Sequence, residues 1–373
     1  MIFLGKLVDK FNNLDKSIKR TIIGGIVVVA VIFIIVLIVG IMNNHKLSYS
    51  KLENKLESAA KSYFAKNEDK LPANEGEEVK VSSETLVSEK YIKELSKYNN
   101  DNCSADVYVE LNNGEYVYSP YLHCDSYTTN TLVYYISNNE QIQTDKDGLY
   151  KYGDELVYRG ENVNNYVKIN DKIWRILRIN GDNSVRLILN TYYDKIAWDD
   201  RYNISKNDDV GINDFEVSRM KDSLDDFMND TDYISRDLKK YIVAKNVCVD
   251  KVSGFDFSNV YNLNCTNYSE EKYQASLIWL SELFAASLDK NCDNIYSESC
   301  ANYNYLAKGR FWTITPLEND TSKVFTTGGV TKAIDAYYSY SIKPVINISR
   351  HVLYESGNGT KKDPYTFKIS SSK

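Results

Sequence analysis

Adjacent carboxylates recur in this chain at Asp199-Asp200, Asp208-Asp209 and Asp225-Asp226. Two carboxyl groups flanking one bond are what glycoside hydrolysis needs, one to protonate the leaving oxygen and one to attack or activate water. Acids that are neighbours in sequence more often share a solvated loop or helix face, and that is the reading adopted for all three pairs. One pair has a richer setting. "KIAWDDRYN" sets Trp198 beside Asp199, Asp200 and Arg201. An aromatic ring next to carboxylates and a guanidinium can stack on a sugar or a peptide. The plainer alternative is a loop tryptophan tucked over the core. These four residues are the candidate ligand contacts.

Other chemistry is sparse. The histidines are His45, His123 and His351, and no Ser-His-Asp set or H-E-x-x-H stretch exists. The chain therefore reads as a non-enzyme, with no catalytic residue and no bound cofactor expected. Calcium is the one metal its acidic loops would admit. "TDKDG" from Thr144 and "ENDTS" from Glu318 have the oxygen-rich character of a calcium loop but complete no motif. Six cysteines, Cys103, Cys124, Cys248, Cys265, Cys292 and Cys300, show no C-x-x-C spacing. An even count read as exported points to disulfides rather than zinc. Clustering in neighbouring twos favours the pairs 103–124, 248–265 and 292–300.

The elements that position these residues begin with an anchor. Residues 21–44 carry no charge, and "GGIVVVAVIFIIVLIVGIM" is almost wholly aliphatic. At about 1.5 Å per residue this helix matches the roughly 30 Å of a bilayer core. Lys6, Lys10, Lys16, Lys19 and Arg20 precede it against only Asp9 and Asp15, so the positive-inside rule puts the N-terminus in the cytoplasm. "GIMNNHK" offers no small-residue cleavage site, which makes the span an uncleaved signal anchor. Residues 1–20 form a cytoplasmic amphipathic tail, with Phe3, Leu4, Leu7, Val8, Phe11 and Leu14 at helical spacing. All six cysteines follow the span, on the extracellular side.

Residues 45–127 read as a helix plus a small sheet. Leu52, Leu56, Ala59, Ala60, Tyr63 and Phe64 make one apolar stripe, and "SADVYVELNNGEYVYSPYL" alternates around an Asn113-Gly114 hairpin turn. This region, with "LESAAKSYFAKNEDKLP" and "LVSEKYIKEL", resembles the pilin-like exported proteins of low-GC Gram-positive bacteria. A pilin carries a glutamate five residues into its mature helix. Here Gly24-Gly25 is followed by aliphatic residues, and no Glu occurs before Glu53.

Residues 128–147 are polar and read as a linker. Residues 148–373 form the second domain. Lys172–Ile179 and Val185–Leu189 read as strands around an Asn180–Asn183 turn, and Val217, Met220, Leu224 and Phe227 fall on one helix face. "ASLIWLSELFAASL" fits either one helix or a strand followed by a helix capped at Ser281. Trp174 and Trp312 sit in apolar strands and read as core. The chain closes on "YSIKPVINISRHVLYESGNGTKKDPYTFKI", read as a hairpin whose Val345, Ile346 and Ile348 fill core and whose Gly357-Asn358-Gly359 makes the turn. The stretches "NNYVKINDKIWRILRI", "NYLAKGRFWTITP", "IKPVINIS" and "GNGTKKDPYTF" resemble a C-type-lectin-like or formylglycine-generating-enzyme-like domain of membrane-anchored surface proteins. Lys343 stands where that pattern has arginine. The resemblance implies a fold and no activity, since the enzyme's cysteine pattern is missing.

The expected fold is therefore α+β: one transmembrane helix, a small pilin-like unit and a larger β-rich, C-type-lectin-like one. A net charge of −6 with no basic stripe excludes nucleic acid as a partner. The 31 tyrosines, with frequent Asn and Lys, read first as AT-rich codon usage and second as a contact surface. The expected partners are the lipid bilayer and a glycan or protein ligand. The function these features favour is a non-enzymatic binding or organising protein of the cell surface. The alternatives are a pilin-like component of a secretion or DNA-uptake apparatus and, behind it, an envelope hydrolase.

Overall fold

A computed structural model describes residues 14–43, 46–253, 265–292, 297–328 and 331–369. The amphipathic stretch over residues 3–13 and His45 lie outside them. Helix α1, Lys16–Asn43, is long and apolar enough to cross a membrane by length and composition, with a mean hydropathy of 2.1 over its best window.

Helix α2, Tyr49–Phe64, buries its apolar stripe on the sheet β1 (Glu78–Ser82), β2 (Cys103–Asn112) and β3 (Glu115–Cys124), all antiparallel. Ser82 caps the short α3, Ser83–Ser88, by accepting from Thr85 N. Within the stripe of α2 sits Glu53, 2% exposed. Its Oε1 accepts from the Thr129 hydroxyl at 2.6 Å and the Tyr127 hydroxyl at 2.8 Å, which is what makes that burial tolerable.

The stretch expected to be a linker is folded. Thr131 Oγ1 accepts from Tyr134 N and caps α4, Leu132–Asn139, whose Leu132, Val133 and Ile136 enter the larger core. Three apolar residues suffice to seat two turns of helix, and they are hidden in a composition dominated by Asn, Thr and Tyr.

The larger unit is built on a seven-stranded antiparallel sheet ordered β12-β17-β8-β7-β5-β4, with β6 also on β7. Its strands are β4 (Gly148–Tyr152), β5 (Glu155–Arg159), β6 (Tyr166–Ile169), β7 (Lys172–Ile179), β8 (Val185–Leu189), β12 (Ala275–Ser276) and β17 (Val345–Ile348). Every residue of β8 and β17 is buried, as expected of central strands covered on both faces. Small pairs surround it: β9 (Lys195–Ala197) with β16 (Ser339–Ser341), and β10 (Lys245–Cys248) with β11 (Tyr268–Tyr273). A three-stranded sheet joins β13 (Trp312–Pro316), β14 (Lys323–Thr326) and β15 (Lys332–Asp335). Helix α5, Arg219–Asn229, inserts Met220, Leu224 and Phe227, whereas Val217 lies outside it and is exposed. The ambiguous apolar stretch is a strand followed by a helix, α6 (Leu280–Ala285), entered from Trp279 and not capped by Ser281.

The chain end is not one hairpin. Strand β17 pairs with β8 and β12, while β18 (Tyr354–Ser356) pairs with β19 (Thr366–Phe367). Tyr365 forms a parallel bridge to Val167. Gly359 has φ +74°, and a Cβ there would lie 2.2 Å from Asn164 O and 2.4 Å from the Tyr365 ring, so the turn requires glycine.

Disulfides join Cys103–Cys124, Cys248–Cys265 and Cys292–Cys300. Asp101 stands beside the first and Asp250 beside the second. Neither group is a metal site, because a disulfide sulfur offers no thiolate.

Candidate functional site

The Trp198–Arg201 stretch is not a ligand surface as a whole. Trp198 and Asp199 are both 0% exposed. The Trp198 indole donates to Thr313 O at 3.2 Å. Asp199 is consumed by Arg201, with Nη2 to Oδ2 at 2.5 Å and Nε at 3.1 Å from both oxygens. Asp200 pairs with Arg219 at 2.6 Å on the surface. Gly211 explains why the loop folds inward: at φ +78°, a Cβ would meet Asp199 O at 2.1 Å. Trp198 and Asp199 are thus corrected from ligand contacts to buried framework, and only Asp200 and Arg201 reach solvent.

What the structure assembles instead is a cleft of about 660 Å³ between the two folded units. The β2–β3 hairpin forms one wall. Asn113 and Gly114 take positive φ, 54° and 72°, as a tight hairpin turn demands. Glu75 accepts from both turn amides, at 2.8 Å from Asn113 N and 2.6 Å from Gly114 N. The Asn113 side chain then reaches into the larger unit and donates to Lys239 O at 2.7 Å and Ile242 O at 2.9 Å. Lys240 and Glu115 add an ion pair at 3.0 Å.

The second junction lies at Ser349–His351. Arg350 Nη2 is 2.8 Å from Glu78 Oε1, and His351 Nε2 lies against Glu78 Oε2. On its other side Nδ1 lies 2.8 Å from the Tyr121 hydroxyl, and Arg350 Nε reaches Nε2 at 3.2 Å. The imidazole stacks on Tyr108 and is only 5% exposed. Burial raises the Glu78 pKa, but hydrogen bonds and charge from His351 and Arg350 outweigh it and hold the carboxyl below its ordinary value. A depressed carboxyl contributes stability above its unfolded pKa, about 4.3, and loses it as pH falls through the folded value. Acidification below about pH 4 should therefore loosen this junction. Proteolysis between the units, followed against pH, should rise in the wild type and run flat in Glu78→Gln.

The facing wall is formed by residues 242–246 with Asp182, Tyr268 and Lys272. Asp182 is tied to Lys245 at 2.5 Å and to the Ser184 hydroxyl at 2.7 Å. Burial pushes its carboxyl up, and those partners bring it below the usual range. Two groups stay uncommitted among the described residues. Glu110 receives Asn112 and Ser349 on Oε2 alone, leaving Oε1 open, and the Lys272 ammonium makes no hydrogen bond or ion pair. Tyr268, which also lines the cleft, is 57% exposed. Among the described residues the cleft offers one free carboxylate oxygen, one free ammonium and one tyrosine face, groups that can bind a polar ligand.

Elsewhere, Lys343 holds its ammonium 4.9 Å from the Phe311 ring centre and 5.2 Å from that of Tyr192. Burial, then the charge of Arg175, pulls its pKa down to about 8. Compared with known protein families, curated proteins and solved structures, the chain matches none.

Proposed function

We propose that the chain is a membrane-anchored, non-enzymatic binding protein of the bacterial cell surface that takes a polar ligand, glycan or protein, in the interdomain cleft. In this reading α1 crosses the membrane with the N-terminus cytoplasmic, and the disulfide-bonded units lie outside. The smaller unit is pilin-like and the larger one C-type-lectin-like. The observation that carries the proposal is the pairing of an open Glu110 oxygen with an unpaired Lys272 across a cleft about 660 Å³ in volume. Ligand sites favour such junctions between folded units. The disulfides support an oxidising compartment.

The test is a glycan and peptide array probed with the full chain in lipid nanodiscs. A specific hit is expected, weakened about tenfold or more by Lys272→Glu or Glu110→Gln, which is some 1.4 kcal/mol. Hits indifferent to both substitutions would remove the cleft from consideration. Turnover of a glycan would move the chain to the hydrolase alternative. Recovery of the chain in sheared appendages would move it to the filament one.

A further inference from the structure

The closing segment ends over a second cavity, separate from the cleft. It measures about 270 Å³ and is lined from α4, from residues 147–149 and 162–164, and by Asn358 and Tyr365. Six amide residues, Asn139, Gln141, Gln143, Asn162, Asn164 and Asn358, line it with two carboxyl residues and no cation; Asn139 and Gln143 donate to Tyr135 O at 2.8 Å and Gln141 O at 3.0 Å. The carboxyls differ. Asp147 is fixed by backbone amides, accepting from Asn162 N at 2.9 Å and Glu161 N at 3.3 Å. Glu140 takes both tyrosine hydroxyls on one oxygen: Tyr158 and Tyr365 each lie 2.5 Å from Oε1. Its Oε2 has no hydrogen-bond partner among the described residues.

The lining discriminates between ligand classes. An anion would meet two acids. A cation would find one unpartnered carboxylate oxygen, Glu140 Oε2, and amides around it that offer as many donors as acceptors. Amides both donate and accept, Glu140 Oε2 accepts, and hydroxyl groups on a ligand match both. The volume falls just under the 300 Å³ or so where drug-sized sites begin, so it fits one ring rather than a chain. We propose that this cavity binds a neutral polyhydroxylated ligand, a single sugar residue, held by Glu140 and the amides of Asn162, Asn164 and Asn358. The terminal "GNGTKKDPY" stretch then builds a binding site as well as the sheet edge, since it supplies Asn358 and Tyr365.

The experiment is saturation-transfer NMR on the full chain in phosphatidylglycerol nanodiscs, with glucose, N-acetylglucosamine and tetramethylammonium as probes. At least one sugar should bind saturably, with Kd on the order of 1–10 mM. The double variant Asn162→Leu, Asn164→Leu should weaken it about tenfold or more at an unchanged melting temperature. Glu140→Gln should keep binding, because an amide oxygen still accepts in place of Oε2. Lys272→Glu in the cleft should leave the sugar untouched, so failure here and failure of the cleft are separable. Binding of tetramethylammonium alone, no sugar saturation by about 100 mM, or sugar binding indifferent to the double variant would each overturn the assignment.

Discussion

Replacing Glu282 by alanine should cost the fold about 3–5 kcal/mol. Glu282 is 4% exposed and Arg186 8%. Arg186 approaches with Nε at 2.5 Å from Oε1 and Nη2 at 3.2 Å from Oε2. Trp279 N donates to Oε2 at 2.8 Å, and Arg178 stands 3.8 Å away. This carboxylate thus compensates Arg186, shares Arg178 with Glu155 at 3.4 Å, and fixes the entry to α6. Burial pushes its pKa up, but the two guanidinium groups hold it below the ordinary value. Its contribution is present at neutral pH and lost as acid titrates it through that lowered value. Alanine would strand buried positive charge, and at roughly 2–4 °C per kcal/mol the melting temperature should drop by about 10 °C. The double variant Glu282→Met, Arg186→Met should recover much of the loss, because an apolar pair has no desolvation cost to meet. A drop under about 1 kcal/mol for the single variant would show that solvent reaches this pair.

Removing the Cys103–Cys124 bridge should destabilise the smaller unit by about 3 kcal/mol through the entropy of its open loop. The bridge spans 21 residues and joins positions directly opposite in the β2–β3 register. Hydrogen exchange on the double alanine variant should show amides of residues 47–127 deprotected, with β7 and β8 unchanged. Loss of protection in both units together would mean that the Asn113 and Glu78 contacts make them one cooperative body.

Local signals were legible in the sequence and distant ones were not. The strands β7 and β8, the Asn113-Gly114 turn and the stripe of α2 are short-range patterns, and the cysteines pair with their neighbours in sequence. Nothing local marks Glu53 for burial, because its partners, Tyr127 and Thr129, lie more than seventy positions away. Trp198 fitted both a ligand contact and a loop residue tucked over the core, since local sequence does not show which way the ring turns; the fold buries it. The cleft was invisible for the same reason. Asn113 was read as a turn former, while its side chain bonds carbonyls 126 and 129 residues distant. The final stretch was read as one hairpin because periodicity shows alternation and not which strand is the partner.

The place of β17 bears on how the molecule is made. This strand sits between β12 and β8, yet it is the last long strand to be synthesised. A nascent chain leaving the ribosome N-terminus first can complete its smaller unit early, while the larger sheet waits with the slot beside β8 open. That slot closes only once Val345–Ile348 have emerged. Translation therefore imposes a delay during which an apolar edge stands unpaired, and chaperone protection is needed most in that interval.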